Sequence, residues 1–158
     1  MVQYKTGNLL EADVEYICHQ VNCQGRMRSG IAKQIHDKWP LVFDRYECWV
    51  DYHSSRGGPR ALLGECQYIE VSPEQTVINM FAQEHYGYDG RRYTSYDAFW
   101  SCLGQITKTV PKGSKIGFPM GIGCGLGGAN WEVISTMIEE VLYKDYDVYI
   151  YVLEGEEK

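Results

Sequence analysis

Glycine and asparagine, rather than an obvious nucleophile, carry the chemistry that this sequence advertises. Two segments stand out, His19-Gln20-Val21-Asn22-Cys23-Gln24-Gly25-Arg26-Met27-Arg28-Ser29-Gly30-Ile31-Ala32 and Gly121-Ile122-Gly123-Cys124-Gly125-Leu126-Gly127-Gly128-Ala129-Asn130-Trp131. Each follows an apolar run that reads as a strand and enters an apolar period that reads as a helix. Glycine lets the backbone turn sharply and approach a ligand closely. A helix start adds unpaired N–H groups and a partial positive charge. Strand, glycine loop and helix start together make a phosphate-binding device. Two such devices predict a ligand with two phosphates in tandem. Neither is Gly-x-x-x-x-Gly-Lys-Ser/Thr, which disfavours nucleoside triphosphate hydrolysis. Neither is Gly-x-Gly-x-x-Gly after the first strand, which disfavours a Rossmann dinucleotide site.

Acid–base chemistry has two candidate sources. The ordinary pKa range of histidine makes His19 suited to proton transfer near neutrality. It also reads as a core histidine, because strand alternation puts Ile17, His19 and Val21 on one face and Cys18, Gln20 and Asn22 on the other. The second source is the segment 84–94. There Glu84, His85 and Asp89 offer acids or bases, Arg91 and Arg92 a phosphate clamp, and Tyr86, Tyr88 and Tyr93 stacking faces. The competing reading is a solvated loop with a turn at Asp89-Gly90.

Alternating elements position these residues. Short strands are expected at 2–5, 16–21, 66–71, 76–82, 115–118 and 147–153. Helical spacing of 31, 32, 35 and 39 predicts a first helix, with Ser29 as N-cap and Pro40 as stop. A second helix is expected over 41–52, and 54–59 reads as a polar loop. Ser95 caps a third helix with Phe99, Leu103, Ile106 and Val110 on one face, broken by Pro111-Lys112-Gly113. Trp131, Ile134, Ile138, Val141 and Leu142 mark the fourth. Lys33, Asp37 and Lys38 read as a wet helix face, and 154–158 as a solvated tail. Strands alternating with helices imply a layered α/β fold with a mostly parallel sheet. Ligands bind such sheets at the carboxyl ends of the strands. Both glycine loops and the 84–94 loop run from strand to helix, so all three converge on one edge.

The chain has 158 residues, enough for one domain with a real core and no need of disulfides or metal. Its formal net charge is −6, which argues against a surface that coats nucleic acid but not against a small anionic ligand. No signal-peptide layout opens the sequence and no apolar run approaches a membrane span, so a cytoplasmic protein without membrane contact is expected. Six cysteines, at 18, 23, 48, 66, 102 and 124, form no Cys-x-x-Cys, and the four histidines are scattered. Most of the cysteines are expected to be small buried hydrophobes, and nothing requires a metal or a cofactor.

In order along the chain, these motifs resemble the macro domain, the ADP-ribose-binding family. Gly7-Asn8-Leu9 resembles its Gly-Asp-Ile turn, and His19-Gln20-Val21-Asn22 its Asn-Ala-Ala-Asn strand end. Arg28-Ser29-Gly30-Ile31-Ala32 resembles its Gly-Gly-Gly-Val-Ala helix start, and Gly123-Cys124-Gly125-Leu126-Gly127 its late glycine loop. The resemblance implies a three-layer α/β/α fold with a mixed, mostly parallel central sheet. It implies that Asn8 and Leu9 lie at the adenine and that Asn22 orients the distal ribose. The backbone of Ser29, Gly30, Ile31 and Ala32 and of Gly123, Cys124, Gly125, Leu126 and Gly127 would then cradle the diphosphate.

The string His-Gln-Val-Asn-Cys-Gln-Gly is similar to the yeast-type ADP-ribose-1″-phosphate phosphatases and their phage and bacterial relatives. Gly-Cys-Gly-Leu with Trp131-Glu132 nearby is similar to the branch that removes ADP-ribose from protein or DNA. That branch uses a lysine after the Ile-Asn strand, near the position of Gln83 in this chain, and its members that remove terminal ADP-ribose use an aspartate where it has Gly127. A glutamine cannot form a Schiff base. The resemblance thus implies a monomer that binds ADP-ribose or ADP-ribose-1″-phosphate and hydrolyses a group from the distal ribose, foremost the 1″-phosphate. Asn22, His19 and His85 are its candidate catalytic residues and Gln83 a further ligand contact. Hydrolysis of ADP-ribosylated protein or nucleic acid, and binding without catalysis, stay open as alternatives.

Overall fold

The computed structural model describes residues 2–154; the rest of the expected tail, 155–158, lies outside the described residues. Six strands form one sheet: β1 Val2–Thr6, β2 Tyr16–Asn22, β3 Cys66–Ser72, β4 Gln75–Gln83, β5 Lys115–Pro119 and β6 Asp147–Val152. Their spatial order is β1-β6-β5-β2-β4-β3. Every pairing is parallel except β3 with β4, the hairpin turned at Pro73-Glu74. The mixed, mostly parallel sheet expected from the sequence is therefore present.

Four helices cover its faces: α1 Gly30–Lys38, α2 Pro40–Ser54, α3 Tyr96–Thr109 and α4 Trp131–Leu142. One core packs α3 and α4 on the sheet through Phe99, Leu103, Ile106, Ile134, Ile138, Met80 and Phe118. The other packs α1 and α2 on the opposite face through Ile35, Val42, Tyr46, Val50, Ile17, Val77 and Phe81. Full burial of a side chain of this size is worth roughly 1.5–3 kcal/mol. The two cores together make the three layers.

Local signals hold with small shifts. Ser95 caps α3, its Oγ accepting from the Ala98 N–H at 3.1 Å. Ser29 occupies the N-cap position of α1, but its side chain makes no capping bond. Pro40 does end α1; it also opens α2, where its missing N–H costs nothing at the first position. The 54–59 loop gives way to a single turn of 3-10 helix at Pro59–Leu62. A second such turn, Leu9–Glu11, follows the Gly7-Asn8 corner. Leu9 there sits directly on β5, where a Cβ on Gly117 would come within 2.6 Å of its Cδ1. On the wet face of α1, Lys33 pairs with Asp37 at 2.9 Å, while Lys38, also exposed, donates to the Leu10 carbonyl.

Candidate functional site

Because β1, β6, β5, β2 and β4 run parallel, their carboxyl ends share one edge of the sheet. A cleft of about 670 Å³ lies along it. Gly7 and Asn8 after β1, Tyr151 of β6 and Leu153 just beyond it line one end. Gln20 and Asn22 of β2 and Gln83 of β4 line the other. From β1 to β4 are four strand spacings, about 19 Å at the usual separation. Across the middle, Ser29, Gly30, Ile31 and Ala32 face Gly121, Gly123, Gly125, Leu126 and Gly127.

The two walls present backbone donors. In α1 the first intrahelical bond is Lys33 N–H to Ser29 O, so the amides of Gly30, Ile31 and Ala32 precede the ladder. In the late loop, Cys124, Gly128 and Ala129 donate to Gly121, Gly125 and Gly123 carbonyls. The amides of Gly123, Gly125, Leu126 and Gly127 have no protein acceptor among the described residues. Gly123 has φ +76, a conformation that side chains resist. Arg26 and Arg28 also line the cleft. No aspartate, glutamate, histidine, lysine or cysteine lines it among the described residues. A chain of net charge −6 thus keeps a cationic cleft, suited to an anion.

Asn22 is held from several sides. Its Oδ1 accepts from the Gln24 N–H at 2.9 Å and from the Tyr46 hydroxyl at 2.8 Å. Its Nδ2 donates to the Arg26 carbonyl at 3.0 Å, leaving one amide hydrogen. Strict alternation would place Asn22 with Cys18 and Gln20, facing α3. A register shift after Val21, where β4 carries the extra residue Ala82, ends that alternation. Asn22 instead meets Tyr46 of α2. At the other end, the Asn8 Oδ1 accepts from Leu10 N–H at 3.0 Å, so Asn8 shapes its own turn while lining the cleft.

His19 is not brought to the cleft. It is fully buried, and its Nε2 bonds the Asn79 Oδ1. Asn79 in turn donates to Gln67 at 3.0 Å, and Gln67 to the Arg45 carbonyl at 3.0 Å. Because Asn79 spends its N–H on Gln67, the proton between His19 and Asn79 belongs to the imidazole. Burial pulls the His19 pKa from its ordinary 6.5 to about 4. The folded chain therefore resists protonation that the unfolded chain accepts below 6.5. Stability is unaffected above that pH and falls as pH drops toward 4, by up to about 3 kcal/mol. Urea unfolding of wild type and His19→Leu at pH 7 and pH 4.5 checks this. The variant should lose less stability over that interval, and equal losses would place His19 in contact with solvent.

His85 is also outside the cleft. It is exposed beside Glu84, 3.4 Å away, in a separate depression with Arg60, Arg92 and Tyr96. Arg91 pairs with Asp89, Arg92 lies over the Tyr96 ring, and Tyr93 donates to Asp89. Of that loop, Tyr86, Gly87 and Tyr88 reach the cleft. Cys124 turns its side chain into the core and does not line the cleft, and burial lifts its thiol pKa to about 11. Its place in the loop is a backbone one. Cys18, Cys23, Cys66 and Cys102 are buried and Cys48 is exposed, all as free thiols.

Sequence reasoning passed over Gln20, Arg26, Arg28, Met120 and Tyr151 as site residues. Arg-x-Arg directly before the Ser29-Gly30 helix start was a usable signal for the two arginines. Nothing local marks Tyr151, which reaches the cleft only because β6 pairs between β1 and β5. Among the described residues no group of three potential ligands could hold a metal ion, and no helix is long and apolar enough to cross a membrane.

No protein-family model matches the chain. A DNA ADP-ribosyl glycohydrolase of Mycobacterium tuberculosis is 27% identical over 160 residues, which cover 98% of this chain and 43% of that protein. The chain thus spans less than half the length of this curated relative. A Bacteroides thetaiotaomicron protein of unknown function has the same fold with a TM-score of 0.80 at 27% identity, covering 97% of this chain and 98% of its own. The macrodomain of Mycobacterium tuberculosis DarG superposes with a TM-score of 0.77 at 24% identity, covering 96% and 97%.

Proposed function

We propose that this chain, which has the macro domain fold, binds ADP-ribose in its cleft and hydrolyses the bond between the distal ribose and an attached group, with ADP-ribosylated DNA as the substrate class. The observation that carries the reading is the pair of opposed amide walls flanked by Arg26 and Arg28. They suit a diphosphate, and the cleft continues far enough on either side for a nucleoside and a second ribose. The adenosine lies toward Asn8 and Tyr151. The distal ribose lies at Asn22, Gln20 and Gln83. The DNA substrate class draws on the relative named above, whose similarity spans nearly all of this chain.

Turnover then depends on position and field rather than on a side-chain base. Heterolysis at C1″ leaves the bonding electrons with the departing group and positive charge on the ribose. Water adds to C1″ and gives its proton to solvent. The remaining Asn22 amide hydrogen orients the ribose, and the amide walls hold the diphosphate; remote binding of this kind lowers the barrier at the reacting bond. Gln83 supplies hydrogen bonding and not a covalent intermediate. His19 and His85 take no part in this scheme.

Two other readings have specific support. The absence of aspartate, glutamate, histidine, lysine and cysteine from the described cleft lining favours a reader that binds without turnover. The His19–Gly25 string favours ADP-ribose-1″-phosphate as substrate. Purified protein is incubated with ADP-ribosylated DNA, ADP-ribosylated protein and ADP-ribose-1″-phosphate, and products are read by mass spectrometry. Release of ADP-ribose from DNA is expected. Release from the phosphate alone would move the substrate assignment, and binding without release from any of them would make the protein a reader.

A further inference from the structure

The late glycine loop does not hold its shape alone. The Gly127 carbonyl accepts from both Tyr93 N–H at 2.8 Å and Thr94 N–H at 3.0 Å. The Thr94 hydroxyl donates to the Gly123 carbonyl at 2.8 Å. That hydroxyl in turn accepts from Gln20 Nε2 at 2.7 Å, and Gln20 gives its other amide hydrogen to Gln83 Oε1 at 2.8 Å. Gln83 closes the chain by donating to the His85 carbonyl at 2.8 Å. Three segments meet in this chain: the end of β2, the loop between β4 and α3, and the loop between β5 and α4.

We infer that Gln20 and Thr94 are positioning residues that lock the diphosphate-facing glycine loop to the tyrosine-bearing loop at the distal end, so that the two move as one unit. The donor arithmetic leaves Gln20 one orientation. Both its hydrogens are committed, and its Oε1 is buried without a partner beside Gly123. An unpartnered buried acceptor is costly. It persists here because turning the amide over would break both of these bonds. Thr94 is nearly fully buried, and its hydroxyl is both donor and acceptor, a pairing valine cannot copy. Close packing leaves no slack in the lock. A Cβ on Gly127 would lie 2.6 Å from both Gly123 O and Thr94 Oγ1, and one on Gly128 would lie 2.7 Å from the Arg91 carbonyl.

The functional consequence rests on the ADP-ribose reading above; the lock itself does not. Thr94→Val is isosteric and removes the hydroxyl, whereas Thr94→Ser keeps it. Hydrogen–deuterium exchange by mass spectrometry should show 121–128 and 84–94 exchanging faster together in Thr94→Val and Gln20→Leu, with wild-type rates restored in Thr94→Ser. Acceleration of one segment without the other, or of neither, overturns the inference whatever the ligand. Calorimetry with ADP-ribose, well below the melting temperature of each variant, reads the consequence. Thr94→Val should bind about tenfold more weakly and Thr94→Ser within about threefold of wild type. A folded Thr94→Val that binds as wild type would remove the positioning role. Failure of wild type itself to bind would remove the proposed function and leave exchange to decide the lock.

Discussion

Gly125→Val is expected to weaken ADP-ribose binding by about a hundredfold or more while costing the fold under about 1 kcal/mol. Gly125 is exposed and lines the cleft, and its amide has no protein acceptor. A Cβ built on it meets nothing within 4 Å, and its φ is not in the left-handed region. The side chain therefore fits the folded loop without strain and stands where the diphosphate must approach the backbone. Gly127→Val makes the contrast. Its side chain would strike Gly123 O and Thr94 Oγ1, so stability and binding should fall together. Calorimetric titration and urea unfolding of both variants check the pair. Undiminished affinity in Gly125→Val would mean that the late loop does not grip the ligand.

The second large effect is at Asn22. Asn22→Ala removes the acceptor for Gln24 N–H, leaves the Asn22 carbonyl as the one acceptor for the Tyr46 hydroxyl among the described residues, and frees the Arg26 carbonyl. A loss of about 2–4 kcal/mol in stability is expected from so many buried polar contacts at once. Turnover should fall further than affinity, because orientation at the distal ribose is worth orders of magnitude in rate. Affinity should also fall, since the loop that Asn22 organises carries Arg26 and Arg28. Asn22→Asp keeps the acceptor and loses the donor. It should recover most of the stability and little of the turnover. Full turnover in either variant on every substrate tried would refute the distal-end assignment.

The sequence exposed those features that chain-local physics controls. Glycine loops after strands, the Ser95 cap and the apolar faces of α3 and α4 are all short-range signals, and each appears where its spacing put it. What it hid depends on pairing across the sheet. His19 and Asn22 lie three residues apart in one strand, and alternation alone sets them on opposite faces. The register shift after Val21 is a property of how β2 meets β4, 60 residues away in the chain. It carries Asn22 to Tyr46 while His19 stays in the core. His85 and Arg92 looked equivalent to Tyr86 and Tyr88 in sequence. The anchoring of Tyr93 and Thr94 on Gly127 decides which of them face the cleft.

Titration with free ADP-ribose tests the central claim most directly. Ligand that binds only the folded state stabilises it by about 2.7 kcal/mol at a hundredfold excess over Kd. For a chain of this size that is roughly 5–10 °C in Tm. ADP-ribose should produce a shift of that order with a matching calorimetric heat. ADP should give a smaller one because it lacks the distal ribose, and ribose 5-phosphate a negligible one. Saturating ADP-ribose with neither a thermal shift nor a binding heat would contradict the account.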